Sequence, residues 1–154
     1  MITIGTELFI LTPGEYKFCE TIKLMVNETN SYAIDIPDMD PGMFRYFHKY
    51  IHELSQRPAF NVNSPGMFDW EIDILHACGS RDGRFDLKYP IINHLNRPPG
   101  VLSPIDHINS NYNKFIIMAE YFGCEYASNA GKKHIAKLMQ GKTPEWLNKY
   151  FMAN

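Results

Sequence analysis

The sequence has few cysteines, and they form no disulfide pattern. Only Cys19, Cys78 and Cys124 occur among 154 residues. They are odd in number and lack any Cys-x-x-Cys spacing. Small secreted domains, in contrast, carry dense and usually even sets of cysteines. We therefore expect a chain without a disulfide framework that resides in the cytoplasm or the nucleus.

Runs of like charge and long apolar runs are also missing. The formal net charge is -2, and no basic stripe of the kind found in nucleic-acid or membrane-surface binders is present. No apolar run approaches the roughly 18 residues that cross a bilayer. Residues 1–5 lack the basic and apolar segments of a signal peptide. These absences predict a protein with neither nucleic-acid nor membrane partners.

No motif of catalysis or cofactor binding stands out. A glycine-rich phosphate loop follows none of the predicted strands. His48 and His52 lie one helical turn apart, but no carboxylate or cysteine stands at a local spacing that would complete a zinc site. Asp69, Glu71 and Asp73 alternate with apolar residues and are interpreted as a solvated helix face. We expect a non-catalytic protein with no catalytic residues, no metal and no cofactor.

The first half of the sequence alternates short strands with amphipathic helices. Residues 2–4 and 8–11 predict a small β-hairpin, and residues 33–36 predict a third strand that ends before Pro37. Apolar residues recur at the helical period over residues 16–26. Asp40 is a suitable cap for the next helix, whose apolar stripe consists of Met43, Phe44, Phe47, Tyr50, Ile51 and Leu54.

The middle of the chain is rich in turns. A helix over residues 68–78 is predicted there, with Phe68, Ile72, Leu75 and Trp70 as its apolar anchors. The following residues, about 79–106, contain several prolines and glycines. Loops of that length in a compact domain are usually functional or ordered by a partner.

The last third is helical. One helix begins at Asn109 or Ser110 and ends at Gly123, and another spans residues 125–140 and ends at Gly141. A final helix restarts at residue 143 and contains Trp146 and Tyr150.

The helix predicted over residues 125–140 is apolar on two faces. Ala127, Ala130, His134 and Leu138 form one face, whereas Ile135 and Met139 belong to the other. A helix of this kind is buried on both sides, either by its own domain or by a partner. Periodicity leaves these two explanations equally open.

Two C-terminal segments closely resemble the S-phase-kinase-associated (SKP) adaptor family. They are residues 115–122, FIIMAEYF, and residues 135–145, IAKLMQGKTPE. The Gly-Lys-Thr-Pro-Glu sequence of the second segment is the most specific part. In the N-terminal half, residues 7–9, 21–25 and 34–40 are similar to further family segments in the same order.

The resemblance implies a fold and a function. The fold is α+β: a BTB/POZ-like domain over residues 1–122, with an insertion at about 79–106, and SKP-type dimerisation and F-box-binding helices over residues 123–154. Such adaptors connect an F-box substrate receptor to a cullin ubiquitin ligase. The implied F-box or partner contacts are Ile116, Ile135, Met139, Lys132, Ser128, Trp146 and Tyr150. The implied cullin contacts are Glu120, Tyr121 and Met39.

The sequence departs from the family at these surfaces. Asn113, Ser128 and Lys132 stand where the family has apolar or less polar residues facing the F-box, and Glu120 replaces an asparagine on the cullin side. Burying an unpaired amide or lysine costs about 1–3 kcal/mol. An ordinary F-box is therefore rejected unless it supplies hydrogen-bond acceptors.

Two functions follow from this interpretation. The first is a non-catalytic adaptor for an F-box-type helical motif and a cullin. The alternative is a structural or regulatory subunit of another assembly that reuses the same fold and makes its main contact through the insertion. An exposed apolar patch around Ile135, Met139, Trp146 and Tyr150 is expected in the isolated chain, with homodimerisation as its consequence.

Overall fold

The computed structural model describes residues 1–29, 33–79, 104–141 and 144. Within them the chain is α+β, as predicted, with three short strands and six helices. Their order is β1 Ile2–Ile4, β2 Glu7–Phe9, α1 Pro13–Tyr16, α2 Glu20–Thr29, β3 Ile34–Ile36, α3 Pro41–Ser55, α4 Asp69–Gly79, α5 Pro104–Tyr121 and α6 Glu125–Met139. None of the helices in this part of the chain is long and apolar enough to pass through a bilayer.

The sheet has strand order β2-β1-β3. Strand β1 pairs antiparallel with β2 and parallel with β3. Gly5 closes the predicted hairpin with a φ of 59°, a left-handed conformation that glycine adopts without steric cost. Its N–H donates to the carbonyl of Ile36 at 3.0 Å, and this bond anchors the turn to the third strand.

Helix α3 provides the centre of the core. Asp40 caps it as predicted, because its carboxylate accepts from the Gly42 N–H at 2.9 Å. All six residues of the predicted apolar stripe are buried. Phe47 stacks on Phe122 with ring centroids 5.3 Å apart, and Phe44 meets the same ring edge-on at 5.5 Å. The stripe therefore packs α3 against the C-terminal end of α5.

The segment before α2 differs from the prediction. A separate helical turn, α1, occupies residues 13–16, and α2 begins only at Glu20. Thr12 and Glu15 form a capping box in which each side chain accepts from the other residue's backbone N–H. Such a box stabilises an isolated turn, and residue 16 belongs to this turn, so the predicted helix begins four residues later than expected.

Helix α4 buries only part of the predicted face: Leu75 is buried and Trp70 packs against the core, as predicted. Phe68, expected as an anchor, is 50% exposed and Ile72 is only half-buried, whereas Ile74 and Cys78 are fully buried. Glu71, interpreted as solvated, is only 2% exposed. Its carboxylate accepts from the Tyr50 hydroxyl at 2.6 Å and from the Phe68 N–H at 2.9 Å. These two bonds satisfy the buried carboxylate and rotate the helix.

Helix α5 begins at Pro104, several residues before the predicted start at 109 or 110. Its first residues therefore overlap the predicted insertion of about 79–106. The remainder of that insertion lies outside the described residues, and so do the predicted last helix and its Trp146 and Tyr150.

The buried Tyr50–Glu71 hydrogen bond yields a prediction about stability. Glu71→Ala removes both hydrogen bonds of the carboxylate and leaves a cavity, so we expect it to lower the free energy of unfolding by about 2–3 kcal/mol. Tyr50→Phe removes one of these bonds and should cost about 1–2 kcal/mol. Urea denaturation monitored by circular dichroism measures both.

Asp73→Ala is the matched control, because Asp73 is an exposed carboxylate on the same helix. Surface substitutions of this kind change stability by less than about 0.5 kcal/mol. Equal losses for Glu71→Ala and Asp73→Ala would contradict a buried, hydrogen-bonded Glu71.

Candidate partner-binding surface on helices α5 and α6

Helices α5 and α6 form a tight hairpin that carries most of the predicted site residues. Gly123 adopts a φ of 71° in the turn between them, and the Cys124 N–H donates to the carbonyl of Ala119 at 2.8 Å. A glycine with positive φ, followed by a hydrogen bond back into the last turn, is a common way to end a helix. The turn thereby directs α6 back along α5.

The inner face of α6 is the one predicted from periodicity. Ala127, Ala130 and His134 are buried, and Leu138 is half-buried against the core. The Nε2 atom of His134 lies 3.0 Å from the hydroxyl of Tyr112 on α5, whereas its Nδ1 has no hydrogen-bond partner among the described residues. This face of α6 is thus buried by the protein's own domain, which is one of the two explanations that periodicity left open.

Gly131 allows the two helices to approach closely. A Cβ atom at this position would lie 2.5 Å from Cγ1 of Ile116, a distance that real Cβ atoms essentially never show. Ile116, predicted to face a partner, is half-buried. Part of its side chain is therefore used to pack α5 against α6.

Three predicted site residues meet in one polar cluster. The Nζ of Lys132 lies 3.0 Å from Oε1 of Glu120, and the Ser128 hydroxyl lies 3.3 Å from the same oxygen. The hydrogen bond and the charge of Lys132 lower the pKa of Glu120 below its ordinary value. Lys132 is therefore not an unpaired cation, and Ser128 is buried.

Tyr121 is an exposed aromatic side chain among the predicted partner contacts. It is 49% exposed, and Ile117, one helical turn before it, is 64% exposed. The sequence analysis did not identify Ile117 as a site residue. Ile117 lies outside the apolar stripe of α5, which is formed by Tyr112, Phe115, Ala119 and Phe122. An apolar residue outside the core stripe of a helix is the signal that would have found it. Together these two side chains form an exposed apolar pair beside Glu120.

Met39, the third predicted cullin contact, lies elsewhere. It is half-buried between β3 and α3, and its carbonyl oxygen lies 3.3 Å from the position of a Cβ on Gly5. Met39 is therefore part of the turn that supports the sheet, outside the α5–α6 hairpin.

Ile135 and Met139, on the second face of α6, are half-buried. Ile135 packs against the core. Met139 lines a pocket of about 760 Å³, together with Pro65, Gly66 and Met67 from the loop before α4. This face is thus partly covered by the chain itself. Trp146 and Tyr150, the other two residues of the expected apolar patch, lie outside the described residues.

A second pocket, of about 600 Å³, lies at the turn end of the hairpin. Its lining includes Lys17, Phe18, Glu120, Cys124, Ser128 and Lys132. It joins the polar cluster to the segment that precedes α2. Elements that are distant in sequence therefore share one concave surface at this end of the molecule.

The fold also brings a carboxylate from a segment distant in sequence to the histidine pair. Oε2 of Glu15 lies 3.3 Å from His48 Nε2 and 3.0 Å from His52 Nδ1. Burial raises the pKa of Glu15, but the Thr12 N–H and the two histidines outweigh it and hold the pKa below its ordinary value. In residues 1–29, 33–79 and 104–141, no set of three His, Cys, Asp or Glu side chains is arranged to hold a metal ion.

Comparisons with known proteins add no identification: neither the protein-family models nor the curated proteins contain a match to this chain.

The buried His134 predicts a pH-dependent stability. Burial, with the charges of His76 and Lys137, lowers the pKa of His134 from 6.5 to about 4. Between these pH values the unfolded chain binds a proton that the folded protein does not, so the free energy of unfolding falls as the pH is lowered. We expect a loss of about 1–2 kcal/mol between pH 7 and pH 5, after allowance for solvent screening.

His134→Gln serves as the comparison in this experiment, because an amide keeps a polar group near Tyr112 and does not titrate. Urea denaturation at pH 7 and pH 5 should show a clearly smaller loss for this variant. An identical loss in both proteins would assign the pH dependence to other groups.

The close approach at Gly131 predicts an overpacked variant. Gly131→Ala places a methyl group against Ile116 and should destabilise the protein by about 1–3 kcal/mol despite the higher helix propensity of alanine. Adding Ile116→Ala should cost less than the sum of the two single changes, because it removes the clash. Gly66→Ala is the control, since nothing lies within 4 Å of the added atom.

Thermal or urea denaturation of the wild type, Gly131→Ala, Ile116→Ala and the double variant measures the change in the free energy of unfolding caused by each substitution. Gly66→Ala is measured beside them. Additive losses in the double variant would show that Gly131 and Ile116 do not press against each other.

Proposed function

We propose that this chain is a non-catalytic adaptor of the SKP type, with a BTB/POZ-like fold, that links an F-box-type helical motif to a cullin scaffold. The observation that carries the proposal is the exposed pair Ile117 and Tyr121 on α5, 64% and 49% exposed. Tyr121 stands where the resemblance puts a cullin contact. Aromatic residues held on a rigid helix are favoured anchors in protein interfaces.

The end of α6 supports the same proposal. Gly141 has a φ of 78° and follows a helix that ends at Met139. The Gly-Lys-Thr-Pro-Glu sequence of the family resemblance begins at this glycine. A helix stop at that point is what an adaptor needs if the following residues form a separate partner-binding helix.

The second face of α6 is the F-box side of the proposal. Ile135 and Met139 are half-buried, and Met139 opens into the pocket beside Met67. A helical motif that inserts apolar side chains into this pocket would complete the burial of the half-buried Ile135 and Met139. Because the protein itself partly covers this face of α6, the free protein exposes less apolar area.

The Glu120–Lys132 ion pair modifies the cost expected from the sequence. Lys132 already has an acceptor at 3.0 Å, so a partner does not bury an isolated ammonium group there. The carboxylate nevertheless gives the surface beside Tyr121 a negative charge. We infer that the cullin-side partner presents a hydrogen-bond donor or a cation to Glu120.

The same ion pair favours a second candidate, a structural or regulatory subunit of another assembly. Glu120 belongs to the cullin side and Lys132 to the F-box side of the resemblance, yet they occupy one cluster. A partner that covers the whole cluster would bind as a single unit, without the two separate interfaces of an adaptor.

Affinity purification from the cells that express the protein tests the proposal. We expect the wild type to recover F-box proteins and a cullin. Ile117→Asp combined with Tyr121→Asp should lose the cullin by at least about tenfold and keep the F-box proteins, since charges are introduced at a desolvated anchor. Ile135→Asp combined with Met139→Asp should lose the F-box proteins.

Ile10→Asp is the matched control, because Ile10 is an exposed isoleucine, 68% accessible, next to the sheet and away from α5. Urea denaturation of each variant verifies that the fold is retained. Recovery of one stable assembly without F-box proteins or cullin, indifferent to the substitutions at residues 135 and 139, would favour the structural subunit and overturn the adaptor.

A further inference from the structure

The start of α2 and the turn between α5 and α6 are joined main chain to main chain. The Glu20 N–H donates to the carbonyl of Gly123 at 3.3 Å, and the Thr21 N–H donates to that of Phe122 at 3.1 Å. The two segments are therefore paired antiparallel: as the residue number rises in one, it falls in the other. The next pair in this progression is Cys19 and Cys124.

The two segments approach at van der Waals distance. A Cβ on Gly123 would lie 3.2 Å from the backbone nitrogen of Thr21 and 3.2 Å from Cβ of Glu20. Disulfides require Cα atoms about 4.4–6.8 Å apart, a separation that facing residues of two such closely paired segments have. The thiols of Cys19 and Cys124 are both buried, and each shifts the pKa of the other.

The two thiols differ in their surroundings. Cys124 is the N-cap residue of α6, where free N–H groups favour a negative charge. The hydrogen bond from Cys19 lowers the pKa of Cys124, and the N–H groups of Ala127 and Tyr126 add to this effect against burial. The hydrogen bond with Cys124, together with burial, raises the pKa of Cys19. Cys124 is therefore the more readily ionised thiol of the pair and Cys19 the less readily ionised one.

Cys19 and Cys124 are 0% and 1% exposed, and Cys124 borders a pocket from which a small oxidant would approach. Cys124 lines the pocket of about 600 Å³ at the turn end of the hairpin, beside Lys17 and Lys132. Cys78 does not line that pocket and has a different environment: its sulfur lies 3.5 Å from that of Met43 and 3.9 Å from the carbonyl oxygen of Asn111. It is thus an internal reference for a buried cysteine without a facing thiol.

We propose that Cys19 and Cys124 are a site of reversible oxidative modification that closes to an intramolecular disulfide. The oxidant is a hydroperoxide. Cys124, once deprotonated, attacks one peroxide oxygen and the O–O bond breaks, which leaves a sulfenic acid on Cys124 and releases the alkoxide, or hydroxide when the oxidant is hydrogen peroxide. The Cys19 sulfur then attacks the sulfenic sulfur: the S–S bond forms, the S–O bond breaks, and the thiol proton leaves with the oxygen as water.

The overall reaction is a two-electron oxidation of the thiol pair. With hydrogen peroxide, two thiols and one peroxide become one disulfide and two waters. A dithiol reductant reverses the change by thiol–disulfide exchange. The disulfide ties the start of α2 to the α5–α6 turn, beside Glu120 and Tyr121, and this inference does not depend on the identity of any partner.

The test uses the full folded chain and hydrogen peroxide as the probe. After brief oxidation and removal of the peroxide, the protein is denatured, alkylated and weighed by mass spectrometry. The reduced protein has three free thiols; we expect one to remain, with the total mass lower by two hydrogen atoms before alkylation. Peptide mapping should find the linked peptides of Cys19 and Cys124, and a dithiol should restore all three thiols.

Cys78→Ser is the control, because it should leave no free thiol after oxidation and the same linked peptides. The same treatment in urea should produce mixed pairings, which shows that the folded structure selects the pair. Three remaining thiols in the oxidised folded protein, a disulfide that includes Cys78, or oxygen adducts on Cys124 with Cys19 still free would each overturn the proposal.

Discussion

The apolar stripe of helix α3 packs against α5, and the remaining described elements are positioned with respect to this contact. Phe47 stacks on Phe122, and Phe44 meets the same ring. One turn further, Tyr50 adds a polar function to the stripe. Its hydroxyl contacts the carboxylate of Glu71 in α4 and the carbonyl of Tyr126 in α6. Because buried polar groups are costly unless they are paired, this side chain ties two further helices to the core.

Close packing in the α5–α6 hairpin, which a glycine permits, brings several polar side chains together on one surface. Gly131 brings the helices together over Ile116, and the rim of the hairpin then collects Glu120, Ser128 and Lys132. These residues belong to two different partner surfaces in the resemblance. In the folded chain they share one ion pair, so a partner that withdraws Lys132 changes the charge presented beside Tyr121.

The turn at Gly123 connects this surface to the N-terminal half. Its carbonyl accepts from the first turn of α2, and the next residue, Cys124, is the N-cap residue of α6. A covalent change at the thiol pair of Cys19 and Cys124 therefore acts on the same turn that holds Glu120 and Tyr121. The proposed oxidation site and the proposed partner surface are adjacent because one tight turn builds both.

Local sequence patterns are sufficient to predict the α+β class, the cap and the buried stripe of α3, the inner face of α6 and the glycine that ends it. These features depend on neighbours within a few residues, such as Asp40 with Gly42 or Ala127 with Ala130, and local periodicity and capping predict them. The burial of Glu71, the Glu120–Lys132 pair, the carboxylate between His48 and His52, and the proximity of Cys19 and Cys124 were decided only by the tertiary structure. Each joins residues from different elements, and their meeting depends on how the helices are rotated and packed, which no local pattern encodes.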